Sequence, residues 1–258
     1  MAAADDPLVR IRLPGGMITP AQLTELSSVA TEFGSGTMEL TARGNVKLPG
    51  ITDAAAVVPQ FTQAGLLPDI VASPMSGRVG GNADVRPWVG ELDAAIRAEP
   101  RLADLGGRFW FSLDDGSADM SGLGADVGVH VFEDGCALLL MGRDTGIRLA
   151  ADDVIKTLVA VALDQPGVEL SATPLPARTR PPVGWITQED GLVALGAGVP
   201  LGILPAHVAE FLAAIEAPLV ITPWRSVLVC DLDEAVADVA LRVLAPLGLI
   251  FDENSSSL

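Results

Sequence analysis

The chain states one pattern twice. Near its start, Val9–Leu67 runs through Thr19-Pro20-Ala21-Gln22-Leu23, then Leu40-Thr41-Ala42-Arg43-Gly44-Asn45-Val46-Lys47-Leu48-Pro49, then Ala64-Gly65-Leu66. Near its end, Leu192–Phe251 runs through Leu204-Pro205-Ala206-His207-Val208, then Ile221-Thr222-Pro223-Trp224-Arg225-Ser226-Val227-Leu228-Val229, then Leu247-Gly248-Leu249. Order and spacing agree to within a few residues. One supersecondary unit used twice around a different middle constrains the fold to a body with a pseudo-twofold axis, and a site is expected where the halves meet.

Within the first copy, Val9-Arg10-Ile11-Arg12-Leu13 alternates and predicts a strand ended by Pro14-Gly15-Gly16. Thr19, Pro20 and Gln22 form a helix start: a capping hydroxyl, a proline at the first helical position and the glutamine of a capping box. Leu23, Leu26, Ala30 and Phe33 then share one helical face, and Gly34 and Gly36 stop it. Met38–Thr41 and Val46–Leu48 predict two short strands, and Ala54–Ala64 a second helix. The second copy predicts strands at Leu192–Leu195, Leu219–Thr222 and Val227–Val229, with helices at Pro205–Ile215 and Asp233–Ala245. Its first helix has Leu204 where the first copy has Thr19, so a weaker start is expected.

The middle reads differently. Strands are expected at Ile70–Ser73, Arg108–Leu113, Asp126–Phe132 and Cys136–Met141, with turns at Asp114-Asp115-Gly116 and Glu133-Asp134-Gly135. Helices are expected from Asp84 to about Arg97 and from Asp152 or Asp153 to about Leu163. Gln165–Pro182 is rich in Pro, Thr and Arg and reads as a connector. Hairpins mixed with helices give the class α+β.

Charge and composition exclude several function classes. The formal net charge of −17 would repel a phosphate backbone, so no nucleic-acid partner is expected. A local arginine cluster can still attract a small anion, because surface charges are screened beyond about 8 Å at physiological salt. The first residues have neither a basic nor an apolar signal region, and apolar runs such as Cys136–Met141 are too short to span a bilayer. A soluble, cytoplasmic protein without a membrane partner is the expectation. Cys136 and Cys230 each sit in an apolar run and are expected as buried thiols. Two cysteines cannot supply the four thiolates of an iron–sulfur cluster. His130 and His207 have no metal-ligand spacing, so no metal site is assigned.

Several phrases resemble a known family. Leu40–Ile51 resembles the signature of the ferredoxin-like half-domain of nitrite and sulfite reductases. Val71-Ala72-Ser73-Pro74-Met75-Ser76-Gly77 looks like the opening of the catalytic domain that follows it. Leu105-Gly106-Gly107-Arg108-Phe109-Trp110-Phe111 looks like the strand that carries basic residues to the active site. Within that superfamily, Ser73–Gly77, Ala83-Asp84-Val85-Arg86-Pro87, Phe111-Ser112-Leu113-Asp114-Asp115-Gly116 and Gly142-Arg143-Asp144-Thr145-Gly146 are similar to the precorrin-3B synthase family.

The resemblance implies two ferredoxin-like half-domains, 1–67 and 183–251, related by a pseudo-twofold. They flank a nitrite/sulfite reductase-type catalytic α+β domain at 68–164, with a linker at 165–182. It implies a monooxygenase of cobalamin biosynthesis, an oxidoreductase that converts precorrin-3A to precorrin-3B with an electron donor. It also implies a [4Fe-4S] cluster and, in the reductases, a sirohaem. The cluster ligands of the family lie in a domain after the second half-unit, so residues 252–258 would mark the start of a missing part. Activity of this chain alone is therefore left open. The alternatives are a non-catalytic tetrapyrrole-binding module, an inactive remnant, or a fragment of a sirohaem-dependent reductase.

No catalytic residue is assigned. Candidates for holding the carboxylates of a tetrapyrrole, or another anion, are Arg43, Asn45, Lys47, Arg78, Arg108 and Arg143. Guanidinium grips carboxylate in a two-pronged geometry that lysine cannot copy. Arg43 matches an arginine that the superfamily places against such groups, and Asn45 and Lys47 follow on an alternating strand. Arg78 lies in a glycine-rich loop whose N–H groups could hold a carboxylate. Arg108 matches the first basic position of the active-site strand. Trp110 fills the second, where it could form a flat apolar platform but could not donate a proton to sulfite or nitrite. Arg143 is either an anion contact or a local partner of Asp144. Trp224 takes the slot equivalent to Arg43, with Arg225 one place on. Asp119, Asp126 and Asp134 read as turn or surface acids.

Overall fold

Two short strands change places between the copies of the repeat. The structure, a computed structural model, describes residues 8–51, 67–164, 175, 177–178 and 180–255. In chain order the elements are β1 (Leu8–Ile11), β2 (Met17–Ile18), α1 (Pro20–Phe33), β3 (Thr37–Leu40), β4 (Val46–Pro49), β5 (Asp69–Ala72), α2 (Arg86–Ala98), α3 (Pro100–Ala103), β6 (Trp110–Asp114), β7 (Val127–Phe132), β8 (Gly135–Leu140), β9 (Arg143–Leu149), α4 (Val154–Asp164), β10 (Gly184–Thr187), β11 (Val193–Gly198), β12 (Ile203–Pro205), α5 (Ala206–Ala213), β13 (Leu219–Ile221), β14 (Ser226–Leu232) and α6 (Glu234–Leu244). The chain divides into two compact units, Met1–Gln63 with Pro181–Leu258, and Ala64–Arg180.

The first unit holds both copies of the repeat. Its sheets run β1-β4-β3-β12 and β10-β11-β14-β13-β2. Strand β12 of the second copy pairs with β3 of the first, and β2 of the first pairs with β13 of the second, both antiparallel. Each copy thus closes the other's sheet. Ile11, Leu23, Leu26, Met38 and Leu48 of the first copy share one buried core with Leu195, Leu204, Leu212, Val227 and Val229 of the second.

Helix α1 begins as its sequence predicts. The Thr19 N–H donates to Gln22 Oε1 at 2.9 Å, and Thr19 Oγ1 accepts from the Gln22 N–H at 3.2 Å. Its counterpart α5 has Pro205, not the expected Leu204, at the capping position, has no side-chain cap, and is 8 residues long against 14. The expected helix over Ala54–Ala64 lies outside the described residues.

The turn before β2 needs glycine. Gly16 has φ 70°, and a Cβ there would come within 2.0 Å of the Ile221 carbonyl oxygen. Such a contact with backbone cannot be relieved by a rotamer change, so the exchanged strand docks only on a bare backbone.

The second unit is a sheet in the order β5-β6-β7-β8-β9. Strands β5, β6 and β7 run parallel, and β8 and β9 add antiparallel hairpins. Ile70, Phe111, Leu113 and Val129 form one core with Leu92 and Ile96 of α2 and Leu158 of α4. Phe109 and Phe111 meet edge to face, with centroids 5.3 Å apart.

Sequence reading missed β9 and β10. Both are edge strands with largely half-buried or exposed residues, so neither carries the apolar alternation that betrays a strand facing a core. The connector expected at 165–182 falls largely outside the described residues.

Candidate functional site

In the first unit, the β3–β4 hairpin is built around Thr41. The Thr41 N–H donates to the Asn45 carbonyl at 2.9 Å, and the Gly44 N–H donates to the Thr41 carbonyl at 3.1 Å. Thr41 Oγ1 accepts from the N–H groups of Arg43 at 3.3 Å and Asn45 at 3.1 Å. This holds Arg43, half-buried, at the tip. Thr222 organises the β13–β14 hairpin in the same way. Its N–H donates to the Ser226 carbonyl at 2.9 Å, its carbonyl accepts from the Arg225 N–H at 3.0 Å, and its Oγ1 accepts from the Ser226 N–H at 3.3 Å. The matched bonds equate Arg43 with Trp224, and Gly44 (φ 67°) with Arg225 (φ 58°).

Asn45 and Lys47 have other duties nearby. Asn45 is buried, and its Oδ1 accepts from the Leu13 N–H at 2.8 Å. It splints the end of β1 to the hairpin, which leaves its side-chain carbonyl committed to backbone. Lys47 lies opposite Arg10 of β1 and Glu39 of β3, and its Nζ is 3.6 Å from Glu39 Oε2. Both side chains of that pair are partly exposed, so it adds little to stability.

Directly opposed residues of an antiparallel pair share a face, so Arg10 and Lys47 lie on one side of the ribbon, two like charges in register. Arg12 lies one step beyond Ile11 in the same alternation, and its side chain is only 3% exposed. Sequence reading passed over Arg12, because alternation assigned it to the polar face without indicating burial. The signal was present: two arginines on the strand that pairs with the Arg43–Lys47 segment.

The second unit separates its three arginines. Arg78 is buried in the loop after β5, at the carboxyl ends of the parallel strands. Arg108 is exposed in the turn before β6, two residues short of the strand. Arg143 is exposed at the start of β9, which runs in the same direction. Arg78 thus lies at one edge of the sheet, and Arg108 and Arg143 at the other, with the strand length of about 15 Å between. These three do not line one pocket within this unit. Arg143 does not form the local pair with Asp144 expected of it. Arg148 takes Asp144 instead, with its two terminal nitrogens each 2.8 Å from a carboxylate oxygen. Trp110 is half-buried, and its backbone N–H donates to Asp126 Oδ2 at 3.0 Å, so Asp126 is a cap for β6.

At the carboxyl edge lies a polar cluster that the sequence did not reveal. Asp114, at the end of β6, is fully buried. Its Oδ1 accepts from the N–H groups of Gly116 and Ala118, each at 3.0 Å. Its Oδ2 accepts from the N–H of Met120 at 2.9 Å and of Ser121 at 2.7 Å, and from Ser121 Oγ at 2.8 Å. His130 Nδ1, on β7, is 2.8 Å from Ser121 Oγ and 3.3 Å from Asp114 Oδ1. Burial works against the Asp114 charge, but His130 and the Ser121 donors outweigh it and hold the carboxyl at about 2.

Asp119, expected at the surface, is only 8% exposed. Ser73 Oγ donates to its Oδ1 at 2.6 Å. Burial, with added repulsion from Asp114 and Asp115, pushes its carboxyl up to about 7. The carboxylates of Asp114, Asp115 and Asp119 approach within 4.8 Å of one another. The oxygens of Asp114 are already filled by N–H and O–H donors, which is the arrangement of a loop brace and not of a metal shell.

The two cysteines are buried thiols, Cys136 on β8 and Cys230 on β14. Two thiols cannot supply the four ligands of an iron–sulfur cluster, so the residues of this chain do not fit one. A groove of about 620 Å³ between α1 and α5 is lined by Thr19, Thr24, Ala213, Glu210 and Glu216. Its charged lining is acidic, so it does not suit an acidic ligand. Among the described residues, no helix is long and apolar enough to cross a membrane.

Residues 4–57 match the family model of the nitrite/sulfite reductase ferredoxin-like half domain. A precorrin-3B synthase of Sinorhizobium sp is 35% identical over 130 residues, which are 42% of this chain and 28% of that protein. A sulfite reductase (NADPH) hemoprotein beta-component of Shouchella clausii is 43% identical over 44 residues, 17% of this chain and 8% of that protein. The structure of the Mycobacterium tuberculosis NirA protein superposes with a TM-score of 0.78 at 18% identity, covering 95% of this chain and 57% of that one. The chain spans little more than half the length of NirA, and its matched stretches cover under a third of either curated relative. The chain shares the α+β fold of NirA, and its residues 4–57 are similar to the nitrite/sulfite reductase ferredoxin-like half domain.

Proposed function

We propose that the chain binds a flat tetrapyrrole carrying several carboxylates and serves a precorrin-3B synthase-like oxidoreductase, a monooxygenase acting on precorrin-3A. The observation that carries this reading is the basic face of the β1–β4 ribbon. Arg10 and Lys47 stand in register, Arg12 is buried beside them in the alternation, and Arg43 is held at the hairpin tip. Glu39 offsets Lys47 in part, and ligand carboxylates would offset more of the ribbon's positive charge. Guanidinium–carboxylate bonds supply that offset, at roughly 1.5–3 kcal/mol each.

Arg43 binds and orients the acid side chains of the macrocycle, and the buried Arg12 adds positive charge behind that face. Asn45 keeps the ribbon end in register with the hairpin and acts through position. The relative named precorrin-3B synthase supports the substrate class, and the one named sulfite reductase hemoprotein supports the broader class of ring. The cationic face suits the acid groups of a sirohaem as well, and that cofactor, if bound, supplies electron transfer to its ligand. A cluster would have to come from outside this chain. A cytoplasmic setting fits a tetrapyrrole enzyme whose two buried cysteines form no disulfide.

The test is a titration with sirohydrochlorin followed by absorbance. Wild-type protein is expected to bind, and Arg43→Ala to bind at least 10-fold more weakly. Equal affinity for the two proteins would refute the assignment.

A further inference from the structure

Two loops of the second unit are fastened by one hydroxyl. Ser73, just past β5, opens the loop that runs to Asn82. Asp114, at the end of β6, opens the loop that runs to Ser121. Ser73 Oγ accepts from the Asp115 N–H at 3.1 Å and donates to Asp119 Oδ1 at 2.6 Å. The Asn82 N–H donates to the Asp115 carbonyl at 2.6 Å, and Asn82 Nδ2 donates to the Val131 carbonyl at 2.9 Å. Gly81 lies so close that a Cβ there would come within 2.6 Å of Asp115 Cγ. Two backbone N–H groups and one hydroxyl therefore tie the two loops together.

The electrostatics of this junction are lopsided. The groups facing Asp119 are Asp114 and Asp115, with hydroxyls from Ser73 and Ser117. On β7, His130 faces Asp114 and Ser121. On the first loop, Asp84 is held by Arg86 through two 2.8 Å contacts, and Arg86 also reaches the Gly77 carbonyl at 3.3 Å. Asp114 is fixed in its charged form by four N–H groups and a hydroxyl, and Asp115 accepts from the N–H and the Oγ of Ser117. Three carboxylates this close and this buried cannot all carry charge. Asp119, with hydroxyl partners only, is the one that keeps a proton.

We propose that Asp119 is a proton-operated latch: with its carboxyl protonated it stays buried against Ser73 and keeps the two loops closed, and on losing the proton its repulsion by Asp114 and Asp115 outweighs the stronger bond from Ser73 and loosens the 114–121 loop from the first. The raised carboxyl, at about 7, places the transition near neutral pH. Arg78 rides on the first of these loops, so the latch also governs how firmly that arginine is placed. The inference does not depend on which ligand the chain binds.

The experiment is hydrogen–deuterium exchange of the intact chain at pH 6.0 and 8.0, corrected for the intrinsic pH dependence of exchange. Segments covering 73–82 and 114–121 are expected to exchange at least 10-fold faster at pH 8.0, while β7 and β8 stay unchanged. Asp119→Asn keeps the size and cannot ionise, so both loops should stay protected at either pH. Corrected protection equal at both pH values in the wild type, or a pH response in Asp119→Asn matching the wild type, would overturn the latch. Should the variant misfold, the ¹³C shift of the wild-type Asp119 carboxyl decides: a midpoint near 7 supports the proposal, and one below 5 overturns it.

Discussion

The Leu13 N–H and the Asn45 side-chain carbonyl are joined by a buried 2.8 Å hydrogen bond across 32 residues of sequence. That bond ties the last residue of an alternating run to the hairpin that displays Arg43. Removing the carbonyl strands a buried N–H. Asn45→Ala should therefore cost about 1–3 kcal/mol in urea unfolding, and Asn45→Asp, which retains an acceptor, should recover part of it. A loss below about 0.5 kcal/mol would mean that water replaces the amide.

The capping box of α1 gives a second expectation. Thr19→Ala removes the acceptor for the Gln22 N–H at an exposed helix start and should lower stability by about 1 kcal/mol. Substituting Pro205 at the same position in the second copy offers no comparable handle, since α5 has no side-chain cap to lose.

Two residues of the second copy are held in a backbone conformation that the first copy gives to glycine. Leu201 has φ 56° where Gly15 has 62°, and Arg225 has φ 58° where Gly44 has 67°. Leu201 is also 87% exposed, so no burial offsets its strain. Leu201→Gly and Arg225→Gly are each expected to raise the melting temperature, by an amount equivalent to about 0.5–1 kcal/mol. The reverse experiment at a packed turn should fail: Gly16→Ala would drive a methyl into the Ile221 carbonyl and cost more than about 3 kcal/mol.

Asp119 and Asp114 pull the pH profile in opposite directions. The folded Asp119 carboxyl stands at about 7, against 3.8 for an ordinary aspartate, so the native state holds an extra proton between those values. Its contribution is fully present below the lower value and is lost as pH rises to the higher one, at roughly 1.4 kcal/mol for each pH unit that separates them. Asp114, held at about 2, contributes above the ordinary aspartate value, and that contribution is lost as pH falls towards 2. Denaturant midpoints of the wild type should decline from about pH 5 to about pH 7, and those of Asp119→Asn should lose that decline. A flat wild-type profile over that range would contradict the assignment.

The sequence made much of this fold legible because its signals were local. Thr19, Pro20 and Gln22 sit within four residues and act on the same helix turn. The matched Thr41 and Thr222 hairpins could be aligned by eye, down to the one-place offset of Arg225. The strand exchange was not legible, because β2 and β12 are two and three residues long and their partners lie about 200 and about 165 residues away. The buried acids were hidden for a different reason. Asp114-Asp115-Gly116 has the composition of an ordinary solvated turn, and only the neighbouring loop from Ser73 to Asn82 turns it inward. Arg12 was hidden because alternation reports which face a side chain takes, and burial depends on what later covers that face.

The traded strands also set a timetable for synthesis. While the first copy leaves the ribosome, β3 has no partner on one edge, and β2 has no sheet to join. Both wait until the intervening unit has been translated and β12 and β13 emerge. The unfinished edge is exposed for roughly ten seconds or more at ordinary elongation speeds of about 5–20 residues per second. That interval invites pairing with a neighbouring nascent chain, so a chaperone that shields the opening segment should raise the yield of native protein more than one acting on the completed polypeptide.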